Sequence, residues 1–228
     1  MRELDAQLKD QRRKWRLAGV GLGAALLLLM LIASALGSVR LSLREVLAVY
    51  CQKLTGEETA SEAALTIVWQ LRLPRILLAA AVGAALSGSG VALQGLFRNS
   101  LVDPYILGLS SGAALGAASA LALHISWLIP PFAFLGALLA TTLAYLLAQD
   151  QGRAPVLRLL LSGVATSAFL SALVSILMLK NQNNLQTIFL WLMGSFSGRS
   201  WQDLVSILPY LAAGLCLIFM RLRELNLL

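Results

Sequence analysis

Three groups of residues have the types and spacing to do chemistry. Arg72 and Arg75 flank Pro74 in the stretch RLPR, three residues apart, which is neighbour spacing on a helix face. They are either interfacial anchors whose heads reach lipid phosphates, or a fixed pair of cations offered to acidic groups of a partner. A second group is polar but lies in apolar runs: Ser87, Ser89 and Gln94, then Ser110 and Ser111, then Ser162, Thr166, Ser167, Ser171 and Ser175. Polar side chains so placed normally face a bundle interior or a water-filled path, although Ser and Thr also bond back to their own helix carbonyls. Gln94, Ser162, Thr166, Ser167 and Ser171 form the candidate translocation pathway. The third group is the knot Arg98, Asn99, Asp103 and Pro104, which interrupts two apolar runs.

Catalysis has little to work with. The sequence contains no G-x-x-x-x-G-K-[ST] phosphate loop, no H-E-x-x-H and no paired Cys/His spacing, so neither a metal site nor a resident cofactor is expected. His124 is the only histidine and falls at the end of an apolar run, where a solvated surface role is the simplest reading. GVGLG at 19–23 lies inside an apolar helix with no preceding strand and reads as packing. Cys51 and Cys216 read as free thiols. An intramembrane enzyme would need ionisable groups deep in the spans, and the spans hold almost none.

The elements that must carry these groups follow from composition. Hydrophobic residues are 58% of the 228 and charged residues 13%, against about a quarter charged in soluble domains. So few charges cannot cover a water-facing surface, and the class is an all-α polytopic transmembrane helix bundle. Six stretches have spanning length: 17–37, 74–96, 105–125, 127–148, 156–179 and 202–221. None alternates apolar with polar, so helices and not barrel strands are expected. The basic residues before the first stretch and Ala33-Ser34-Ala35 resemble a signal peptide, but the apolar run is too long and Glu3, Asp5 and Asp10 dilute the head, which favours an uncleaved span.

The net charge of +7 comes from cations between spans, with no basic stripe interleaved with aromatics, so nucleic acid is not an expected partner. Their distribution places the amino terminus inside, with 1–16, 97–104, 149–155 and 222–228 cytoplasmic. Arg40, Arg44, Lys53, Arg72 and Arg75 then cluster at 40–75, in and just after the outer connection at 38–73, a mild violation of the positive-inside rule. Within that connection, SLREVLAVYCQKL reads as an amphipathic helix outside the membrane, and 181–200 as a half-inserted outer helix ending at Gly194 and Gly198. Gly108, Gly112 and Gly116 recur every fourth residue, and Gly83 and Gly88 lie on a similar small face, so close helix packing is expected at all five.

RLPR, GAALSGSGVALQGLFRNSLVDPYILGLSSGAALG, LLLSGVATSAFLSAL, FLWLMGSFSGRSW and RLRELNLL, in that order from about residue 15 to the end, resemble the membrane permeases of binding-protein-dependent ABC importers. The branch is the one carrying iron–siderophore complexes, haem and cobalamin. The resemblance implies a multi-pass subunit of the bacterial inner membrane that pairs with a second permease copy. It also implies a soluble substrate-binding protein outside and separate ATPase subunits inside, and no bond-breaking by the permease itself. Arg98, Asn99, Asp103 and Pro104 then match a cytoplasmic turn, and Arg72 and Arg75 the arginines that dock the binding protein. Ser100 stands where the family usually has proline, and GRAPVLR lacks a hydroxyl pair found at some members' gates, so no gate residues are assigned. The family is built as two similar halves with a cytoplasmic coupling helix, and these residues match one half plus one span. A structural or assembly fragment without transport of its own is the alternative expectation.

Overall fold

The computed structural model describes residues 2–152 and 154–227, and side chains at 9–152 and 154–221. Met1, Arg153 and Leu228 lie outside the described residues, as do the side chains of 1–8 and 222–228, parts of the expected cytoplasmic segments. Its helices are α1 (Arg2–Ala35), α2 (Leu43–Thr55), α3 (Glu62–Leu65), α4 (Leu73–Phe97), α5 (Leu109–Ala122), α6 (Ile129–Ala148), α7 (Val156–Lys180), α8 (Leu185–Met193) and α9 (Trp201–Leu227). A π-helical segment, Thr66–Arg72, joins α3 to α4. Among the described residues, five segments are long and apolar enough to cross a membrane: Lys9–Ala35, Glu62–Phe97, Ser126–Ala148, Val156–Lys180 and Trp201–Arg221. The all-α membrane fold expected from composition is therefore the fold observed.

The expected span at 105–125 differs. Only 14 residues of it are helical, as α5. At 1.5 Å per residue that is about 21 Å, short of a hydrocarbon core of about 30 Å. The start is delayed because Gly108 takes the left-handed conformation (φ 80°) and caps the helix. Its far end stops where Leu123 leaves the helix and His124 turns to φ 60°. Non-helical backbone at membrane depth is tolerated where protein encloses it. Here Val102, Leu107, Gly108, Gly112, Ala117, Ala118, Ala120 and Leu121 are all buried.

The chain forms two compact units, residues 1–82 with 196–210 and residues 83–195 with 211–228. In the first, α2 starts at a capping box. The Ser42 hydroxyl accepts from the Glu45 N–H at 3.3 Å, and the Glu45 carboxylate accepts from the Ser42 N–H at 2.7 Å. That N–H, then the Ser42 hydroxyl, hold the Glu45 carboxyl below its ordinary pKa. Gly56 (φ 80°) closes α2, its N–H donating to the Gln52 carbonyl. Val46 and Val49 then point one stripe of α2 at Ala64 and Val68, with Leu31, Ala35, Tyr50 and Trp69 around them. The amphipathic helix expected at this stretch is α2.

In the second unit, α5, α6 and α7 pack on one another. A Cβ on Gly112 would strike the Gly136 carbonyl, one on Gly116 the Phe132 carbonyl, and one on Gly136 the Gly112 carbonyl. The two backbones touch, which only glycine permits. Gly136, Ala140, Ala144 and Ala148 repeat the four-residue ladder on α6, and the three alanines are buried. Gly163 does the same for α7, its notional Cβ meeting the Ile106 carbonyl. Gly88 lies 2.9 Å, from its notional Cβ, off the Leu215 Cδ2. One of the five expected packing glycines differs. Gly108 caps α5 and is also packed, its Cβ position 3.5–3.8 Å from Thr166, Ser167 and Ala140, whereas Gly83 has nothing within 4 Å of its Cβ position, so no contact among the described residues requires a glycine there.

Two outcomes are expected. Gly112→Leu must push α5 off α6 and should lower unfolding stability in detergent by about 1–3 kcal/mol, whereas Gly83→Ala should be neutral or slightly stabilising. Because the Glu45 pKa is lowered on folding, its contribution exists above the unfolded-state value and vanishes as pH falls through the folded one. Glu45→Gln should therefore lower the unfolding temperature near pH 7 and match wild type at about pH 2–3.

Candidate functional site

The two arginines of RLPR are held very differently. Pro74 has no N–H to donate, so the helical ladder must break around it. Leu73 donates to the Val68 carbonyl in the π pattern, and the next donor in that pattern would be Pro74. The Trp69 carbonyl is thus left without a helical donor, and the indole N–H of Trp201 donates to it at 3.0 Å. The two indole rings lie 5.6 Å apart, with the Lys53 ammonium 5.4 Å from the Trp69 ring centroid.

The π segment aims Arg72 at the end of α1. One guanidinium nitrogen donates to the Ser34 and Ala35 carbonyls at 2.8 and 2.9 Å, and the other to the Val39 carbonyl. α1 has no basic residue in its own last turn, so Arg72 supplies the cation that its exposed carbonyls and dipole favour. Ser34 is fully buried and shares a 2.8 Å hydrogen bond with the Tyr50 hydroxyl, tying the same helix end to α2. A Cβ on Gly37 would meet Arg72 Nη2 at 2.7 Å, so the glycine makes room for the guanidinium. Arg75 is half-buried and makes no hydrogen bond among the described residues, and its Nε is fully buried. It lines a cavity of about 380 Å³ with Ala33, Leu36, Ile67, Leu71 and Ile76. Arg72 is thus a brace, and Arg75 is the cation left over.

The hydroxyl row splits. Ser162 donates to the Ala144 carbonyl of α6 at 2.6 Å and to the Leu159 carbonyl at 3.0 Å, stitching α7 to α6. Thr166 is 2% exposed, with its hydroxyl unpartnered and its methyl facing Gly108. Ser167 is half-buried beside the same glycine, and Ser171 is exposed, its carbonyl accepting from Ser175. Ser87, Ser89 and Ser111 bond back within their own turns. Gln94 is exposed and does not join the row: its amide donates to the Ser100 carbonyl at 3.1 Å and holds the 98–108 turn.

That turn is built by its polar residues. The Asn99 side-chain oxygen accepts from the Leu101 N–H at 2.9 Å, and an Asp103 oxygen from the Tyr105 and Ile106 N–H groups at 2.8 and 3.2 Å. Arg98 adopts φ 48°, and Val102 seats in a cluster with Phe97 and Leu107. His124 is not free: its ring lies 3.2 Å from the Asn184 amide, which also donates to the Leu121 carbonyl at the end of α5. Sequence reasoning missed Trp201 and Gly136. The small-residue ladder at 136–148 was a readable signal for the second, whereas nothing local pairs Trp201 with residue 69.

The FecCD transport family matches residues 25–228. The chain belongs to that family. Relatives of this FecCD chain include the cobalamin import system permease BtuC of Halobacterium salinarum, 43% identical over 73% of this chain and 46% of the relative. A probable iron chelatin transport system permease of Helicobacter pylori is 41% identical over 90% of this chain and 63% of its own length. The hemin permease HmuU of Yersinia pestis is 37% identical over 89% and 61%. A solved structure described as an inward-facing metal-chelate type ABC transporter superposes with TM-score 0.76 at 31% identity, covering 91% of this chain and 63% of that one. The FecCD chain thus spans between 46% and 63% of these relatives' lengths.

Arg72→Gln should release the α1 end without touching α4. Losing a cation at a helix C-terminus is worth about 1–2 kcal/mol in partly buried geometry. Amide hydrogen exchange at Leu36–Leu41 should accelerate by about tenfold or more, with Arg72→Lys intermediate because it keeps charge but not the fork.

Proposed function

We propose that this chain is a permease subunit of a binding-protein-dependent ABC importer, lining a path for a bulky metal chelate, haem or corrinoid across the cytoplasmic membrane. The observation that carries this reading is the conjunction of the family match over 25–228 with superposition on a metal-chelate type transporter over 91% of the residues. The relatives bear the names of cobalamin, iron chelatin, hemin and molybdate systems, so the cargo class is the family's and not a single compound. ATP hydrolysis belongs to separate subunits, a second permease copy completes the path, and the amino terminus faces the cytoplasm.

The docking role divides between the two arginines. Arg75 has no hydrogen-bond partner among the described residues and is the cation available to a carboxylate of the binding protein, while Arg72, spent on the α1 carbonyls, keeps the docking face in shape. Within the row proposed as a pathway, Thr166 and Ser167 are the best-supported pair, because neither hydroxyl makes an internal hydrogen bond among the described residues. Ser171 is exposed, and Gln94 has a turn to hold.

Transport is tested in proteoliposomes holding the permease, its ATPase and its binding protein. ATP-dependent accumulation of cargo is the expected result, and none with all three components present overturns the reading. Arg75→Glu should weaken binding-protein association by about tenfold at low salt, with the deficit shrinking as ionic strength rises. Unchanged association would remove the docking role.

A further inference from the structure

α1 is helical well before its apolar stretch, and residues 9–16 continue the spanning helix as an exposed, cationic extension. At 100° per residue, Lys9, Arg12, Arg13 and Arg16 occupy an arc of about 100°, the i, i+3, i+4, i+7 face. Leu17 and Val20, 62% and 71% exposed, extend that face directly into the span. Lys14 lies on the other side and is neutralised by Asp10 at 2.8 Å. Among the described residues, no carboxylate or hydrogen-bond acceptor engages the four cations of the stripe.

We propose that this stripe is a binding site for anionic phospholipid headgroups in the leaflet beside the amino terminus. Four outward cations, ranked along about 10 Å of helix and continuous with lipid-facing leucine and valine, match a row of phosphates above acyl chains. Among the described side chains of this extension, the one cation off the stripe already has its counter-ion, so the charge left without a described partner lies on the stripe. Each cation held near an anionic surface is worth about fivefold in partitioning. The site depends only on α1 crossing a membrane, and stands whether or not the chain transports cargo.

The test keeps composition and net charge constant. The exchange Q11R/R12Q/W15R/R16W takes two of the four cations off the stripe. The full chain, wild type or exchanged, is placed in nanodiscs of phosphatidylcholine with phosphatidylglycerol, extracted in mild detergent, and its retained lipids counted by native mass spectrometry. Retained phosphatidylglycerol should fall by at least about tenfold in the exchanged chain and be unchanged in Lys14→Gln. Equal retention in exchanged and wild-type chains overturns the proposal, as does an equal loss in Lys14→Gln, which would mean undirected charge. Loss of ATPase-subunit capture with phosphatidylglycerol retention intact would also overturn it, assigning the stripe to a protein. Should the exchanged chain not fold, a salt titration of wild type serves. Phosphatidylglycerol retention should drop steeply with ionic strength and phosphatidylcholine retention should not, and a salt-insensitive signal refutes the site.

Discussion

A backbone carbonyl or amide left without a partner costs free energy wherever water is shut out, and the departures from regular helix in this chain each supply one. Pro74 cannot donate, and the indole of Trp201 pairs the carbonyl left at Trp69. The last turn of α1 runs out of N–H donors, and the guanidinium of Arg72 reaches across to its carbonyls. The 98–108 turn leaves helical geometry, and Asn99, Asp103 and Gln94 close its loose amides and carbonyls. Polar residues that look functional in a list are in several cases there because the backbone beside them needs a partner.

The same constraint sorts the candidate site. A side chain occupied by the backbone is a poor choice for binding a transient ligand, since releasing it would expose the group it serves. Arg72 and Gln94 therefore belong to the scaffold, and Arg75, Thr166 and Ser167 are groups with capacity to spare. The brace fixes its helix end through three carbonyl contacts. Ser162, bonded to both α6 and its own turn, acts as a rivet in the bundle.

Close approach is the second organising feature. Where Gly112 and Gly116 meet Gly136 and Phe132, the contact is backbone on backbone, with no rotamer to yield. The short α5 is packed in the same way, with Gly108, Gly112, Ala117, Ala118, Ala120 and Leu121 buried, although Leu101, Tyr105, Leu123 and His124 at its flanks are exposed. A helix of 14 residues packed on two longer ones, α6 and α7, is a solution that the apolar length of 105–125 does not reveal.

The amino-acid order alone established the class, the number of apolar stretches and most of their boundaries, because hydrophobicity over about twenty residues is a local quantity that needs no partner to be read. It also revealed the amphipathic helix at 43–55, the small-residue faces and the family resemblance. Which glycine was a cap and which a contact waited on three dimensions, since Gly83, Gly108 and Gly112 are alike until a neighbouring backbone or a positive φ distinguishes them. The division of labour between Arg72 and Arg75 was equally hidden. It is set by a π turn and by the end of a helix more than thirty residues earlier, and only the folded chain brings those carbonyls within reach of one guanidinium and not the other.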